Sequence, residues 1–146
     1  MKECLLSFIL LMGLYCSPSA VAESQSASSE KTVIKLDHGT NDLHSVFMGV
    51  KIAKALLEKN QDVTIFVNLE AVRLVDKTQP LDLKWGMSKT NMRSLYHQFV
   101  KAGGKILVCP HCAKAAGVKD LREGATIATE SQVAELFSNA SRVIDY

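Results

Sequence analysis

The chain has 146 residues and a mass of 16.0 kDa, with 17 basic against 15 acidic side chains and a formal net charge of +2. A composition of 47% apolar and 22% charged residues is that of a globular protein and excludes disorder as the main state. So small a charge also argues against nucleic acid as a partner, because that binding rests on many neutralised phosphates.

Residues 1–22 read as a secretory signal. Met1 and Lys2 open it, Leu5 to Cys16 form a mostly apolar run, and Ser17-Pro18-Ser19 break that run. Ala20-Val21-Ala22 then supply the small–x–small pattern of a cleavage site. An apolar helix this short spans about 18 Å, well under a roughly 30 Å hydrocarbon core, so an anchor is the poorer reading. Tyr15 is too bulky to precede a lipidated Cys16. Cleavage after Ala22 leaves 124 of the 146 residues, a single domain exported to the periplasm with no membrane contact. It also removes Cys4 and Cys16. The remaining pair, Cys109 and Cys112, closes too small a loop to staple a fold.

A Ser/Ala-rich polar tail over 23–31 is predicted to be disordered, and the domain spans 32–146. Thr32 to Asp37 reads as a first strand, followed by a polar loop from His38 to His44. Val46, Gly49, Val50, Ala53 and Leu57 recur at helical spacing. Asp62 to Val67 is a second strand. Leu74 to Lys89, with Pro80, Trp85 and Gly86, shows no periodicity and reads as a long loop, either functional or hiding an element; its Trp is read as an anchor. Met92, Leu95, Tyr96 and Phe99 share a helix face that Gly103-Gly104 terminate. Lys105 to Val108 is a third strand running into Cys109. A short helix follows, opened by Pro110 and closed by Gly117. Ala125 to Ala128 is a short fourth strand, and Thr129-Glu130-Ser131-Gln132 a capping box. Val133, Leu136, Phe137 and Ala140 stripe the helix it opens, and Arg142 to Tyr146 close the chain as a fifth strand. This alternation predicts an α/β fold with a parallel sheet covered on both faces.

Ligand and catalytic groups of such sheets gather beyond the carboxyl ends of the strands. His38, Asn41, Asp42 and His44 fall on the first loop there, and Asn68, Glu70 and Arg73 on the second. Cys109 begins the third. It sits where helix N–H groups lack partners, which favours its thiolate, and His111 and Lys114 can add positive charge. His111, between the two cysteines, is the histidine best placed for chemistry. His38 and His44 read as capping or loop-ordering residues and His97 as solvated beside Arg93 and Lys101. No cofactor is implied. Zinc would need two further ligands at no recognised spacing, so no metal site is expected. Cys-Pro-His-Cys resembles the tetrapeptide of periplasmic disulfide oxidases. No proline follows Pro110 to form their cis-proline loop, however, and only 34 residues follow Cys112.

The stretch Ile106-Leu107-Val108-Cys109-Pro110-His111-Cys112-Ala113-Lys114-Ala115-Ala116-Gly117-Val118 is similar to the active-cysteine loop of the DsrE/DsrF-like family, of sulfur-relay type. There a Cys ends the third strand and a Gly follows eight residues later, as Gly117 follows Cys109. Asp62 to Val67 and Ser141 to Tyr146 also resemble that family. The resemblance implies a three-layer α/β/α fold, a five-stranded parallel sheet in order 4-3-2-1-5, and assembly into trimers or hexamers. It further implies that Cys109 carries a persulfide, taking sulfane sulfur from a donor and passing it to an acceptor protein or small thiol. The relay pattern does not require Cys112, which this reading takes as the resolving thiol. Two other functions fit the residues: thiol–disulfide or redox-sensing chemistry on the same fold, and a non-catalytic oligomeric module holding a small ligand. An oxidising compartment favours the disulfide.

Overall fold

The computed structural model describes residues 30–146; the predicted leader over 1–22 and the tail over 23–29 lie outside the described residues. Five segments, mostly rich in β-branched residues, form one sheet: β1 (Lys31–Leu36), β2 (Asp62–Val67), β3 (Lys105–Val108), β4 (Ala125–Ile127) and β5 (Arg142–Asp145). Their order is β4-β3-β2-β1-β5 and every pairing is parallel, as the family resemblance implies. β1 starts at Lys31, so the last residue of the predicted tail is paired in the sheet.

The register Leu36↔Val67↔Val108 sets which side chains share a face. Ile34, Leu36, Ile65, Val67, Ile106 and Val108 all point to one side and are almost fully buried. Two helices cover it: α1 (Leu43–Leu57), capped by Asp42, and α2 (Met92–Lys101), capped by Asn91. Gly49 lets α1 lie close, since a Cβ there would fall 2.4 Å from the Leu36 Cδ2. α2 ends as predicted: Gly103 takes φ +90° and the Gly104 N–H donates to Phe99 O at 3.1 Å, in a Schellman turn. The other sheet face is covered by α4 (Glu130–Ser138), where Phe137 meets Phe66 edge-on at 5.3 Å. Its Thr129–Gln132 capping box forms in full, yet no residue of α4 is fully buried. Among the described residues no helix is long and apolar enough to cross a membrane.

Two expectations need correction. The polar loop after β1 is shorter than predicted: Thr40–Asp42 make one 3-10 turn, and His44 already belongs to the first turn of α1. The second carboxyl-edge loop, which carries Glu70 and Arg73, winds instead into a 3-10 helix over Leu69–Val75 that buries Ala71, Val72, Leu74 and Val75 and takes in the first two residues of the predicted long loop. The stretch beyond it is irregular but fastened. Leu81 is buried, and Arg122 donates through Nε to Leu74 O at 3.1 Å and through Nη2 to Gln79 O. Trp85 stacks on His44 with centroids 4.0 Å apart and planes 4° from parallel, so it does anchor this irregular strap over 76–91.

Candidate functional site

The ends of β1, β2 and β3 are adjacent, and the next residue on each is Asp37, Asn68 and Cys109. The Asn68 N–H donates to Leu36 O at 3.0 Å and the Cys109 N–H to Val67 O at 2.9 Å, so the ladder runs one residue past the strands. Three polar side chains are therefore set in a row along the carboxyl edge. Cys109 is the N-cap residue of α3 (Pro110–Ala115) and its side chain makes no capping bond. Pro110 takes the first helical position, where its missing N–H costs nothing. Gly117, at φ +69°, closes α3: the Val118 N–H reaches back to Ala113 O at 2.9 Å. A side chain at that φ is disfavoured, which explains a glycine at the position.

One turn of α3 brings Cys112 back against Cys109. Both thiols are free and half-buried. The Cys112 thiol is pushed up from its ordinary value, first by burial and then by its hydrogen bond to Cys109. The charges of Cys109 and Asp37 add to the rise, while the Leu69 N–H, donating to Cys112, opposes it. Leu69 itself has φ +43°, a conformation a branched residue adopts only under local constraint. Cys112 also lines an open cavity of about 280 Å³ with Leu69, Glu70, Arg73, Ala115 and Ala116. Glu70 and Arg73 pair across its rim at 2.8 Å. A cavity of about 260 Å³ under α4 lies at the opposite, amino-terminal edge of the sheet, beside Lys31, Asp62 and Lys105, away from the thiols.

Asp37 links the thiols to the rest of the edge. Its Oδ2 accepts from Lys35 Nζ at 2.6 Å, and Lys35 also donates to Asp145 at 2.9 Å on β5. These two bonds hold the Lys35 ammonium above its usual range, Asp37 contributing most. The other carboxylate oxygen, Oδ1, is buried with no hydrogen-bond partner among the described residues, and so is Asn68 Oδ1.

The remaining predicted residues lie apart from the thiol pair or at its margin. His111 is exposed on α3, with Nε2 2.9 Å from Glu130 of α4. Lys114 is exposed in the last turn of α3. His38 bonds Asn41 at 3.1 Å, Asp42 caps α1, and His97 is exposed against Tyr96. Among the described residues no three His, Cys, Asp or Glu side chains gather to hold a metal. Three contributors escaped the sequence reading: Asp37, the Leu69 N–H, and Arg122, which pins the segment carrying Leu69. The one available signal was that Asp37 directly follows a buried strand, as Cys109 does.

A model of the DsrE/DsrF-like family matches residues 31–146. The chain belongs to that family. Among solved structures, eight chains match. One is the YchN protein of E. coli, at a TM-score of 0.66 and 20% identity, covering 81% of this chain and 99% of that one. At that identity the likeness establishes the shared fold. No curated protein matches the chain. Sulfur relay is the family-level reading of a DsrE/DsrF-like domain, and in this one the cysteine-bearing junction follows β3, with Gly117 closing the turn.

Proposed function

We propose that this protein handles sulfane sulfur at Cys109, with Cys112 as the resolving thiol. The observation that carries the reading is the asymmetry of the pair. Cys109 stands at the strand end and helix start, while burial and the Cys109 contact hold the proton on Cys112. In the first step the Cys109 thiolate attacks the outer sulfur of a donor persulfide, R–S–SH. The donor S–S bond breaks, R–S⁻ leaves, and Cys109 keeps the sulfur and its proton as Cys–S–SH. An acceptor protein or small thiol takes that outer sulfur. Alternatively, Cys112 attacks the Cys109 sulfur, releases HS⁻ and leaves a Cys109–Cys112 disulfide for an external thiol to reduce. His111, exposed beside the pair, is assigned to the mouth through which donor and acceptor approach.

A second reading, thiol–disulfide exchange without persulfide, is favoured by the placement of the two thiols, Cys109 at the start of α3 and Cys112 within its first turn. We assign the working state to an exported homo-oligomer, a trimer or hexamer. Leu69, Met87, Ile127 and Val143 are exposed apolar residues available for its contacts. Mass spectrometry of the protein taken from its own compartment separates the functions. Persulfide handling gives a gain of about 32 Da on Cys109. Exchange gives a loss of about 2 Da across the pair. Two free thiols under every condition would leave the non-catalytic binding module.

A further inference from the structure

We propose that Asp37 is the proton acceptor for the Cys112 thiol when Cys112 closes onto Cys109; this rests on the resolving role assigned to Cys112 above. In closure the Cys112 sulfur bonds to the Cys109 sulfur, the group carried by Cys109 leaves as a thiolate, and the Cys112 proton must go elsewhere. The carboxyl edge holds few acceptors for it. The Leu69 N–H can only donate, and Glu70 and Arg73 on the cavity rim are paired with each other. His111 is turned to Glu130, and His38 is bonded to Asn41.

Asp37 has what the step needs. Asn68 is its neighbour on β2, with Cys109 one strand further along the same edge, and its Oδ1 is a buried acceptor without a partner among the described residues. Burying a carboxylate oxygen with nothing to accept from is costly, and the Lys35 bond satisfies only Oδ2. The charged groups around it are Lys35 on its own strand and Asp145 on β5, with the two thiols on the α3 side; the Tyr146 backbone oxygen accepts the Asp37 N–H at 3.0 Å. Lys35 is shared between two carboxylates, so it stays anchored if Asp37 gains a proton. The Asp37 charge already acts on Cys112, raising its thiol. As a spectator charge Asp37 would therefore hinder closure, whereas as a base it speeds it. The two roles predict opposite signs.

The test uses full-length protein carrying Cys4→Ser and Cys16→Ser, with a dithiobis(nitrobenzoate) reagent forming a mixed disulfide on Cys109. Closure then releases the coloured thiolate: Cys109–S–S–Ar, HS–Cys112 and Asp37–COO⁻ give the Cys109–Cys112 disulfide, Ar–S⁻ and Asp37–COOH. No persulfide is involved. Asp37→Asn is expected to slow this first-order release about 100-fold at neutral pH, the usual worth of a positioned base. In the same variant, alkylation of Cys112 should become faster, because the repelling charge is gone. The closure deficit should shrink as pH rises and Cys112 ionises unaided. Asp37→Glu should recover most of the rate, and Asp145→Asn, which removes the other half of the Lys35 pairing, should leave it unchanged. Closure in Asp37→Asn as fast as wild type, or faster, overturns the proposal and leaves the resolving role standing. Release of a second coloured equivalent from Cys112→Ser removes the resolving role itself, and the proposal with it.

Discussion

Arg122 offers the sharpest test of how the strap supports the site. It is 8% exposed, donates Nε to Leu74 O and Nη2 to Gln79 O, and its own N–H donates to Val75 O at 2.8 Å. Burial lowers its guanidinium from the ordinary value, but so far above neutrality that it stays charged. Arg122→Ala leaves two carbonyls without their partner, at about 1–3 kcal/mol each where water cannot reach them. One of the two is only part-buried, so a total of about 3 kcal/mol is the working figure. Over the 117 residues of 30–146, an unfolding entropy of about 2.1 cal/mol/K per residue gives roughly 0.25 kcal/mol/K. The expected fall in Tm is therefore about 12 °C by circular dichroism. Arg122→Lys should recover little, since one ammonium cannot span two carbonyls in the same way. The strap should also become the first site of proteolytic cleavage. A Tm loss under about 2 °C with unchanged proteolysis would refute the assignment of Arg122 as the pin.

Three further outcomes are expected. Alkylation of the reduced protein near pH 6 should label Cys109 before Cys112, whose raised thiol keeps it neutral until pH climbs past the ordinary thiol range; Cys109→Ser should abolish sulfur uptake, whereas Cys112→Ser should retain uptake and lose closure, by peptide mass mapping. The exported protein should begin at Glu23 on N-terminal sequencing, and an intact Met1 in a membrane fraction would defeat the leader. Light scattering of the mature protein at micromolar concentration should return several times the monomer mass, and a monomer would remove the assembly.

The legible parts of the sequence were those where the local signal and the tertiary outcome coincide. β2 is buried along nearly its whole length, so its Val/Ile/Phe run could not be misread, and the capping box of α4 is set by four consecutive residues. The Schellman turns at Gly103 and Gly117 are local too. The 3-10 helix over 69–75 was not legible, because it starts from a positive φ at Leu69 that nothing in the residue type announces. Nothing local in the sequence singles out Arg122, since its partners lie 43 and 48 residues upstream. The cysteine pair was found from its spacing and its place after β3. Asp37 reads as no more than the last residue of a strand, because only the register sets it in line with Asn68 and Cys109.

Both sheet edges come from the last portion of the chain, and both are short: β4 has three residues and β5 four. β5 carries Arg142 and Asp145 at its two ends, with Arg142 reaching across to Glu30 at 3.1 Å and Asp145 held by Lys35. A short edge flanked by committed charges is a poor template for another strand, which is how many natural sheets resist edge-to-edge growth. The β5 edge is therefore poorly suited to joining copies of this chain by extending the sheet through hydrogen bonds. The assembly proposed above would then rest on side chains of helix faces and loop ends, with the backbone ladder stopping at the border of each protomer.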